Sequence, residues 1–374
     1  MTATRHILRN VLVTGGAGFI GSNFIRYLLA ARPGVRVVNF DKLTYAGDLA
    51  NLEGVAQDGR YRFVQGDICD RDLLTLLIAA ENIESVVHFA AESHVDRSIA
   101  SPDDFIRTNV QGTQALLDAC RSIWKPDVSG RADVRFHQVS TDEVFGSLST
   151  DAAPFNETTA YAPSSPYSAS KAAADHLVCA YAHTYGIPTL ITHCSNNYGP
   201  RQHPEKFIPT ILRAALAGQP IPVYGNGANM RDWLFVEDHC AGLLLALECA
   251  ASGRRYCLGS GREFSNIDLA RRICGLLDEA RPEAAPHDRM ITFVTDRPGH
   301  DFRYAIDAGK IGAELGWVPA TDIGAGLRRT IAWYMARWTT AQHCRVAAAT
   351  DDHASDGADL PLQYVPGHEI QKRA

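Results

Sequence analysis

Two carboxylic acids lie side by side in the stretch Ser-Thr-Asp-Glu-Val-Phe-Gly, residues 140–146. They follow VRFHQV (134–139), an apolar stretch that predicts a buried strand. Neighbouring carboxylates repel each other, and burial of either one requires a partner or a hydrogen bond. The repulsion raises the pKa of one member, so one carboxyl can stay protonated while the other is ionised. Asp142 and Glu143 are therefore candidates for an acid and a base, although a loop cap or a helix start would also place two acids here.

Tyr167 and Lys171 are four residues apart in SPYSASKAAADH (165–176), which lies in a predicted helix. Residues i and i+4 share one face of a helix. An ammonium group near a phenol, together with the positive charge of an oxidised nicotinamide, is expected to lower the pKa of the tyrosine. Such a tyrosine can take a proton from a sugar hydroxyl while a hydride leaves to NAD. This spacing alone is common on surface helices, so the interpretation depends on a dinucleotide site elsewhere in the chain.

The stretch TGGAGFIG (14–21) supplies that site, with Gly15, Gly18 and Gly21 between a predicted strand and a predicted helix. Glycines permit the tight turn and the close approach of a pyrophosphate to the free N–H groups of the helix N-terminus. Asp41 ends the next predicted strand, 20 residues after Gly21. An acid there accepts from the adenosine ribose hydroxyls and repels a 2′-phosphate, which favours NAD over NADP, although the adjacent Lys42 weakens that preference.

The elements that must position these residues alternate between strands and helices. Strands are predicted at 11–16, 35–41, 61–67, 85–90, 134–140 and 188–196, and helices at 20–31, 71–81, 105–120 and 167–186. The strands are continuously apolar, as in strands buried on both faces. This pattern predicts an α/β fold with a Rossmann-type, doubly wound parallel sheet. The second half is richer in Pro and Gly and predicts a smaller C-terminal lobe, and the last 29 residues (346–374) predict an irregular tail.

Composition excludes several function classes. The 374 residues are 46% hydrophobic and 21% charged, and a net charge of −6 argues against a nucleic-acid or anionic-membrane surface. We find no apolar run of about 20 residues and no signal-peptide pattern, so no membrane association is expected. Nine cysteines form no CxxC pair, which is typical of reduced thiols in a cytoplasmic protein. No His/Cys/Asp cluster has metal-ligand spacing, and we predict no metal site.

With these motifs in place, the chain resembles the extended short-chain dehydrogenase/reductase family and, within it, the dTDP-glucose 4,6-dehydratases. The resemblance runs from about residue 10 to about residue 340. Beyond the three stretches above, it is carried by DKLTYAG (41–47), HFAAESHVDRSI (88–99), TNVQGT (108–113), SNNYGP (195–200), RDWLFVEDH (231–239) and DRPGHDFRYAID (296–307).

The resemblance implies an NAD-dependent lyase that oxidises C4 of dTDP-glucose, eliminates water across C5–C6 and returns the hydride to C6. It implies a Rossmann domain over 1–195, rejoined by 234–258, a sugar-nucleotide-binding lobe over 196–345, and a homodimer formed through the helices 105–120 and 167–186. The predicted catalytic residues are Thr141, which bonds the C4 oxygen, Asp142 as the acid toward O6, Glu143 as the base at C5, Tyr167 and Lys171.

Further contacts are carried over position by position. The residues expected to bind NAD are Gly15, Gly18, Phe19, Ile20, Gly21, Asp41, Lys42, Leu43, Thr44, Asp67, Ile68, Ala90, Ala91, Ser93, Thr108, Tyr167, Lys171 and Asn197. The residues expected to bind the substrate are His94, Thr141, Asn196, Glu205, Lys206, Phe207, Pro222, Tyr224, Arg231, Asn266, Arg297 and His300. From position alone, Asp67 could equally cap a loop, and His94 could be an ordinary core histidine.

Alternatives remain at this stage. A 4-epimerase on the same scaffold would need no acid and base at C5–C6, and a GDP-mannose 4,6-dehydratase would be expected to prefer NADP. A non-catalytic NAD-sensing protein would have no reason to keep the five catalytic residues together. The chain departs from the family pattern at four positions, and the last three of them make the nucleobase less certain than the chemistry: Phe145, Arg201, His203 and Cys257.

Overall fold

The first half of the chain builds a parallel sheet. A computed structural model describes residues 5–126, 133–296 and 299–351, with side chains described as far as Trp338. Met1–Ile331 form one compact unit, which contains the whole candidate site, and Ala332–Ala374 form a second. Within the described residues, seven strands pair in parallel in the order β10-β6-β5-β4-β1-β2-β3. They are β1 Asn10–Thr14, β2 Arg36–Asp41, β3 Tyr61–Gln65, β4 Ser85–His88, β5 Arg135–Thr141, β6 Thr189–Cys194 and β10 Arg254–Leu258.

The predicted α/β fold is confirmed, because helices cover both faces of this sheet. One buried cluster joins the sheet to helices α2, α5 and α6, and another joins it to α1 and α8. The α-helices are α1 Phe19–Ala31, α2 Arg71–Ala80, α3 Val95–Ala100, α4 Pro102–Phe105, α5 Thr113–Trp124, α6 Pro166–Tyr185, α7 Phe207–Leu216, α8 Val236–Cys249, α9 Asn266–Ala280, α10 Gly309–Leu315 and α11 Ile323–Asp351.

The single helix predicted over 105–120 is interrupted. A π-helix, Ile106–Gly112, connects α4 to α5. Asn109 lies in this wide turn, where its side chain accepts a hydrogen bond from Glu92 N and donates to Glu92 O and to Ser170 Oγ. These contacts tie the π-helix to the segment after β4 and to α6, and such local π-helices occur frequently at functional sites.

The second half forms small sheets beside the large one. Strands β11, β9 and β13 pair in that order, β7 also pairs with β9, and β8 pairs with β12. Their bounds are β7 Asn196–Tyr198, β8 Ile221–Tyr224, β9 Met230–Phe235, β11 Glu263–Ser265, β12 Ile291–Val294 and β13 Arg303–Tyr304. The predicted division into lobes stays a prediction. Helix α11 extends over the first six residues of the predicted tail, and residues 352–374 lie outside the described part of the chain.

Candidate active site

A cavity of about 320 Å³ opens at the carboxyl ends of the central strands. Between β1 and β4 the order of the strands along the sheet reverses. Open α/β sheets bind their ligands at such a switch point. Many of the residues predicted for the site line this cavity: Gly15, Gly18, Phe19, Ile20, Gly21, Asp41, Lys42, Thr44, Asp67, Ile68, Ala90, Ala91, Ser93, Thr108, Thr141, Asp142, Glu143, Tyr167, Lys171, Asn196, Asn197, Glu205 and Lys206.

The glycine turn leaves no room for side chains. Gly15 has φ +71°, and a Cβ there would lie 2.6 Å from Ala90 N. A Cβ on Gly21 would overlap Gly15 O. Gly18 is the N-cap of α1 and brings no capping side chain, so the first N–H groups of the helix stay available to a ligand. This backbone cradle fits a pyrophosphate.

Asp41 ends β2 beside the cradle, where its carboxylate accepts from Ala17 N at 2.9 Å and from Leu43 N at 2.8 Å. Leu43 therefore contributes its backbone to Asp41, and its side chain does not line the cavity. Lys42 forms an ion pair with Asp67, Nζ to Oδ2, at 2.9 Å. Asp41, the acid that would face a ribose, is therefore held in place, and Lys42 is paired with Asp67. An acid at this position suits the ribose hydroxyls of NAD.

The two acids at the end of β5 differ in depth. They begin a 3₁₀ turn, Asp142–Phe145, and Asp142 is 2% exposed while Glu143 is partly exposed. Asp142 Oδ2 has no hydrogen-bond partner among the described residues, and Oδ1 accepts from Thr141 Oγ1 at 3.3 Å. Burial first, and then the charges of Glu143 and Asp232, raise the pKa of Asp142 well above its usual value. The neutral, proton-carrying form is therefore favoured at Asp142.

Helix α6 brings Tyr167 and Lys171 to the same place. A capping box between Ser165 and Ser168 fixes its first turn, and Pro166 occupies the first helical position. The Thr141 side chain lies close to the Tyr167 hydroxyl and acts to lower its pKa. Lys171 donates from Nζ to Val139 O at 2.9 Å. The helix thus presents both residues to the last residues of β5.

With the protein's own groups alone, the pKa of Tyr167 is raised rather than lowered, because burial outweighs the support of a nearby ammonium. Burial, followed by the charges of Glu143 and Cys194, raises the pKa of Tyr167 well above its usual value. The lysine ammonium is directed to a backbone carbonyl, and its own pKa is lowered by burial. The positive charge of an oxidised nicotinamide remains as an influence that would lower the pKa of Tyr167.

Glu205 and Lys206 form the rim of the cavity near the loop after β7. Glu205 forms ion pairs with Arg97 at 3.1 Å, His203 at 3.5 Å and His94 at 3.7 Å, the histidines contributing when protonated. Lys206 donates from Nζ to Ser93 O at 3.1 Å. Charged donors and acceptors therefore converge on this part of the cavity lining, which suits a polar substrate.

Other predicted substrate residues lie outside the cavity lining. Arg231 is buried and donates to the carbonyls of residues 230, 301 and 302. Tyr224 and His300 are ring neighbours at 6.3 Å, and Phe207 stacks on Trp233. Asn266 begins α9, Pro222 lies in β8, and Arg297 lies outside the described residues. The roles of these residues stay predictions.

Sequence reasoning missed several residues at the site. Tyr45 lines the cavity beneath the guanidinium of Arg97, which lies 3.6 Å from its ring centre, and Glu92 also lines the cavity. Cys194, at the end of β6, also lines the cavity. Tyr45 and Glu92 lie in DKLTYAG and HFAAESHVDRSI, so a closer look at polar and aromatic residues in these motifs could have found them.

Among the four departures, His203 lines the cavity and Phe145 packs in the buried cluster behind it. Arg201 donates to Asn51 O and Asn23 Oδ1, and Cys257 is buried. Three of the four therefore belong to packing around the site.

Comparison with known proteins decides among the enzymes that this geometry allows. A family model described as GDP-mannose 4,6 dehydratase matches residues 12–330. A dTDP-glucose 4,6-dehydratase of Neisseria gonorrhoeae is 51% identical over 340 residues, covering 90% of this chain and 98% of the relative. One of Xanthomonas campestris is 53% identical over 334 residues, covering 88% and 94%. The chain belongs to the dTDP-glucose 4,6-dehydratase family.

Solved structures agree with this family assignment. A dTDP-glucose 4,6-dehydratase from Bacillus anthracis, in complex with NAD, superimposes with a TM-score of 0.78 at 42% identity, covering 87% of this chain and 96% of that one. One from Streptomyces venezuelae, also with NAD, gives 0.79 at 46%, covering 87% and 97%. A UDP-glucose 4-epimerase from Thermotoga maritima gives 0.77 at 27%, covering 88% and 99%. The fold is shared with epimerases, so the higher identity to the dehydratases decides the family, and NAD is its cofactor.

Proposed function

We propose that this protein is an NAD-dependent lyase that converts dTDP-glucose into dTDP-4-keto-6-deoxy-glucose and water. The observation that carries the proposal is the placement of Asp142 and Glu143 at the end of β5, in the cavity that also holds the glycine turn, Tyr167 and Lys171. A simple dehydrogenase needs the turn and the Tyr-Lys pair. Two additional acids of unequal depth are what an elimination of water requires.

NAD, when bound, accepts the C4 hydride and later returns it to C6. Tyr167 takes the proton of the C4 hydroxyl, whose oxygen is held by Thr141. The resulting C4 ketone acidifies the C5 hydrogen, and Glu143 removes it as a proton. Asp142 gives its proton to O6, which departs as water. As the hydride returns to C6, a proton returns to C5, so the cofactor ends oxidised and one water is lost.

The electrostatics suit this division of roles. Asp142 is the deeper acid, and burial favours its neutral form, which is the form that a proton donor must have. Glu143 is partly exposed and lines the cavity, where a base could reach the C5 hydrogen of a bound sugar.

For the substrate, we propose that Asn196, Glu205 and Lys206 contact the sugar and its diphosphate at the rim. Apart from Thr141, the other predicted substrate residues that the structure describes do not line this cavity, so they would contact a part of the nucleotide that extends beyond it. The thymine preference rests on the dehydratase relatives, and a panel of nucleotide sugars tests it directly.

Assembly and location are further parts of this proposal. We propose a homodimer formed through the α5 and α6 region, supported by the exposure of Ile99 (47%) and Ile106 (45%) close to it. Light scattering at assay concentration would test it, and a monomer would contradict it. We propose a cytoplasmic location, supported by the eight described cysteines, all of them free. Separately, none of the described helices is long and apolar enough to cross a membrane.

The test is incubation with dTDP-glucose without added reductant, followed by analysis of the sugar. We expect a 4-keto-6-deoxy sugar and no net accumulation of NADH. UDP-, GDP- and CDP-glucose, each supplied as the substrate of a parallel reaction, test the preference for the nucleobase. If the sugar is recovered only as its C4 epimer, the dehydratase proposal is overturned. If a nucleotide sugar with another base is converted faster than dTDP-glucose, the substrate assignment is overturned.

A further inference from the structure

Helix α6 presents a third polar residue to β5, one turn beyond Lys171. Asp175 follows Lys171 by four residues, so it shares the face that carries Tyr167 and Lys171. Its Oδ2 accepts from Ser140 Oγ at 2.6 Å. Tyr167, Lys171 and Asp175 therefore face three successive residues at the end of β5, since Lys171 binds Val139 O and Tyr167 lies close to the Thr141 side chain.

Asp175 is built into the interior as a charged group. It is 0% exposed, and besides Ser140 its Oδ2 accepts from the Tyr161 hydroxyl at 3.2 Å and lies 3.2 Å from His193 Nε2. The Tyr161 hydroxyl and His193 Nε2 are themselves 2.8 Å apart. Hydrogen bonds to the charged form, and the attraction of His193 and Lys171, lower the pKa of Asp175 in spite of its burial.

The other charged groups around this carboxylate come from every neighbouring element. Lys171 lies on the same helix, His193 on β6 and Tyr161 on the segment before α6. Arg255 of β10 has its guanidinium 5.9 Å from the Tyr161 ring centre. Burial favours the neutral form of Lys171, whereas the charge of Asp175 opposes this and favours its ammonium form.

We propose that Asp175 is a positioning residue of the dehydratase site: it is the counter-ion of Lys171 and, through Ser140, anchors the strand end that carries Thr141, Asp142 and Glu143. The inference rests on the proposed function, because its effect is exerted on the oxidation at C4. Asp175 is separated from the cavity by Ser140 and Lys171 and acts through them.

The test is the pH dependence of kcat/KM for dTDP-glucose in Asp175→Asn, which keeps an oxygen for Ser140 and removes the charge. Loss of the anion favours the neutral form of Lys171, and a neutral Lys171 no longer supports the phenolate of Tyr167, which then forms only at higher pH. We expect the acidic limb to move up by about one pH unit, which is about a ten-fold loss of kcat/KM on that limb. KM should change less than about two-fold, since Asp175 does not touch the substrate.

Three further variants decide the cause. Asp175→Glu keeps the charge and should leave the acidic limb near the wild-type position, even if the rate falls. Ser140→Ala removes the shortest hydrogen bond to the carboxylate but leaves its charge, so the rate should fall while the limb stays near the wild-type position. Asp278→Asn removes a carboxyl on α9 that pairs with His287 outside the cavity lining, and it should leave the profile unchanged.

Two outcomes overturn the inference. A uniform loss of rate without a shift in Asp175→Asn would mean a merely structural role, and an equal shift in Asp175→Glu would mean that charge is not the cause. If Asp175→Asn does not fold, Asp175→Ser, which also removes the charge, is measured instead, and an unshifted limb there has the same consequence. Failure of the wild-type enzyme to convert dTDP-glucose would instead refute the proposed function.

Discussion

Replacement of Asp142 by asparagine should separate the elimination of water from the oxidation before it. Asparagine has nearly the shape of a neutral carboxyl, so it suits a site where Asp142 is 2% exposed and its Oδ2 has no described partner. It cannot donate a proton to O6. General acids contribute about 10²–10⁴-fold, so kcat for product should fall by that factor, which corresponds to about 3–5 kcal/mol of transition-state free energy.

The same substitution has a predicted sign for stability. The pKa of Asp142 is raised in the folded protein above its ordinary value of 3.8. The unfolded state therefore loses its proton first as pH rises, and this carboxyl makes folding less favourable between its unfolded and folded pKa values. Asparagine does not titrate. The stability of Asp142→Asn relative to wild type should therefore improve from pH 3.5 toward pH 7. The difference between the midpoints of thermal unfolding of the two proteins measures this improvement.

The assay follows NADH formation, C5 hydrogen exchange and product in one reaction. In Asp142→Asn, we expect NADH to form and the C5 hydrogen to exchange in D₂O, because Tyr167 and Glu143 are intact, while product is slow. Turnover within about three-fold of wild type would refute the acid assignment, since a general acid is worth more than that. Absence of NADH would show that Asp142 acts on the oxidation instead.

Three other predictions test the remaining parts of the site. Glu143→Gln should form NADH without C5 exchange or product, and C5 exchange at the wild-type rate would refute its role as the base. Asp41→Ala leaves two N–H groups without their acceptor and removes the acid near the ribose, so titration should show NAD affinity at least about ten-fold lower, with weaker discrimination against NADP; unchanged affinity would contradict this. Gly21→Ala places a Cβ against Gly15 O and should lower both the melting temperature and NAD affinity, whereas Gly34→Ala, with open space around it, should change neither, and equal effects would contradict the steric argument.

The sheet and the glycine turn could be predicted from local sequence. Strands buried on both faces are continuously apolar, and a Rossmann turn needs glycines at fixed spacing next to a strand and a helix. The acid at position 41 and the pair at 142–143 follow strands whose carboxyl ends share one edge of a parallel sheet. Their convergence therefore followed from the order of elements.

What the sequence could not supply depends on distant partners. The π-helix around Asn109 is stabilised by Glu92 and Ser170, which are 17 and 61 residues away, and residues 105–120 alone fit an ordinary α-helix. The raised pKa of Tyr167 was missed because spacing places Lys171 on the same face of the helix but does not reveal how deeply the phenol is buried. The same limit applies to Asp175, whose partners lie on three other segments.

The separation of acid from base at one strand end follows from depth more than from repulsion. Burial is the largest cause of the raised pKa of Asp142, ahead of the charge of Glu143. A sugar seated over the cavity would remove further water, and desolvation would hold Asp142 neutral more firmly until O6 takes its proton. Glu143 is partly exposed and lines the cavity, where it can meet the C5 hydrogen. Two adjacent acids can therefore take different roles because the turn after β5 buries one of them and leaves the other partly exposed.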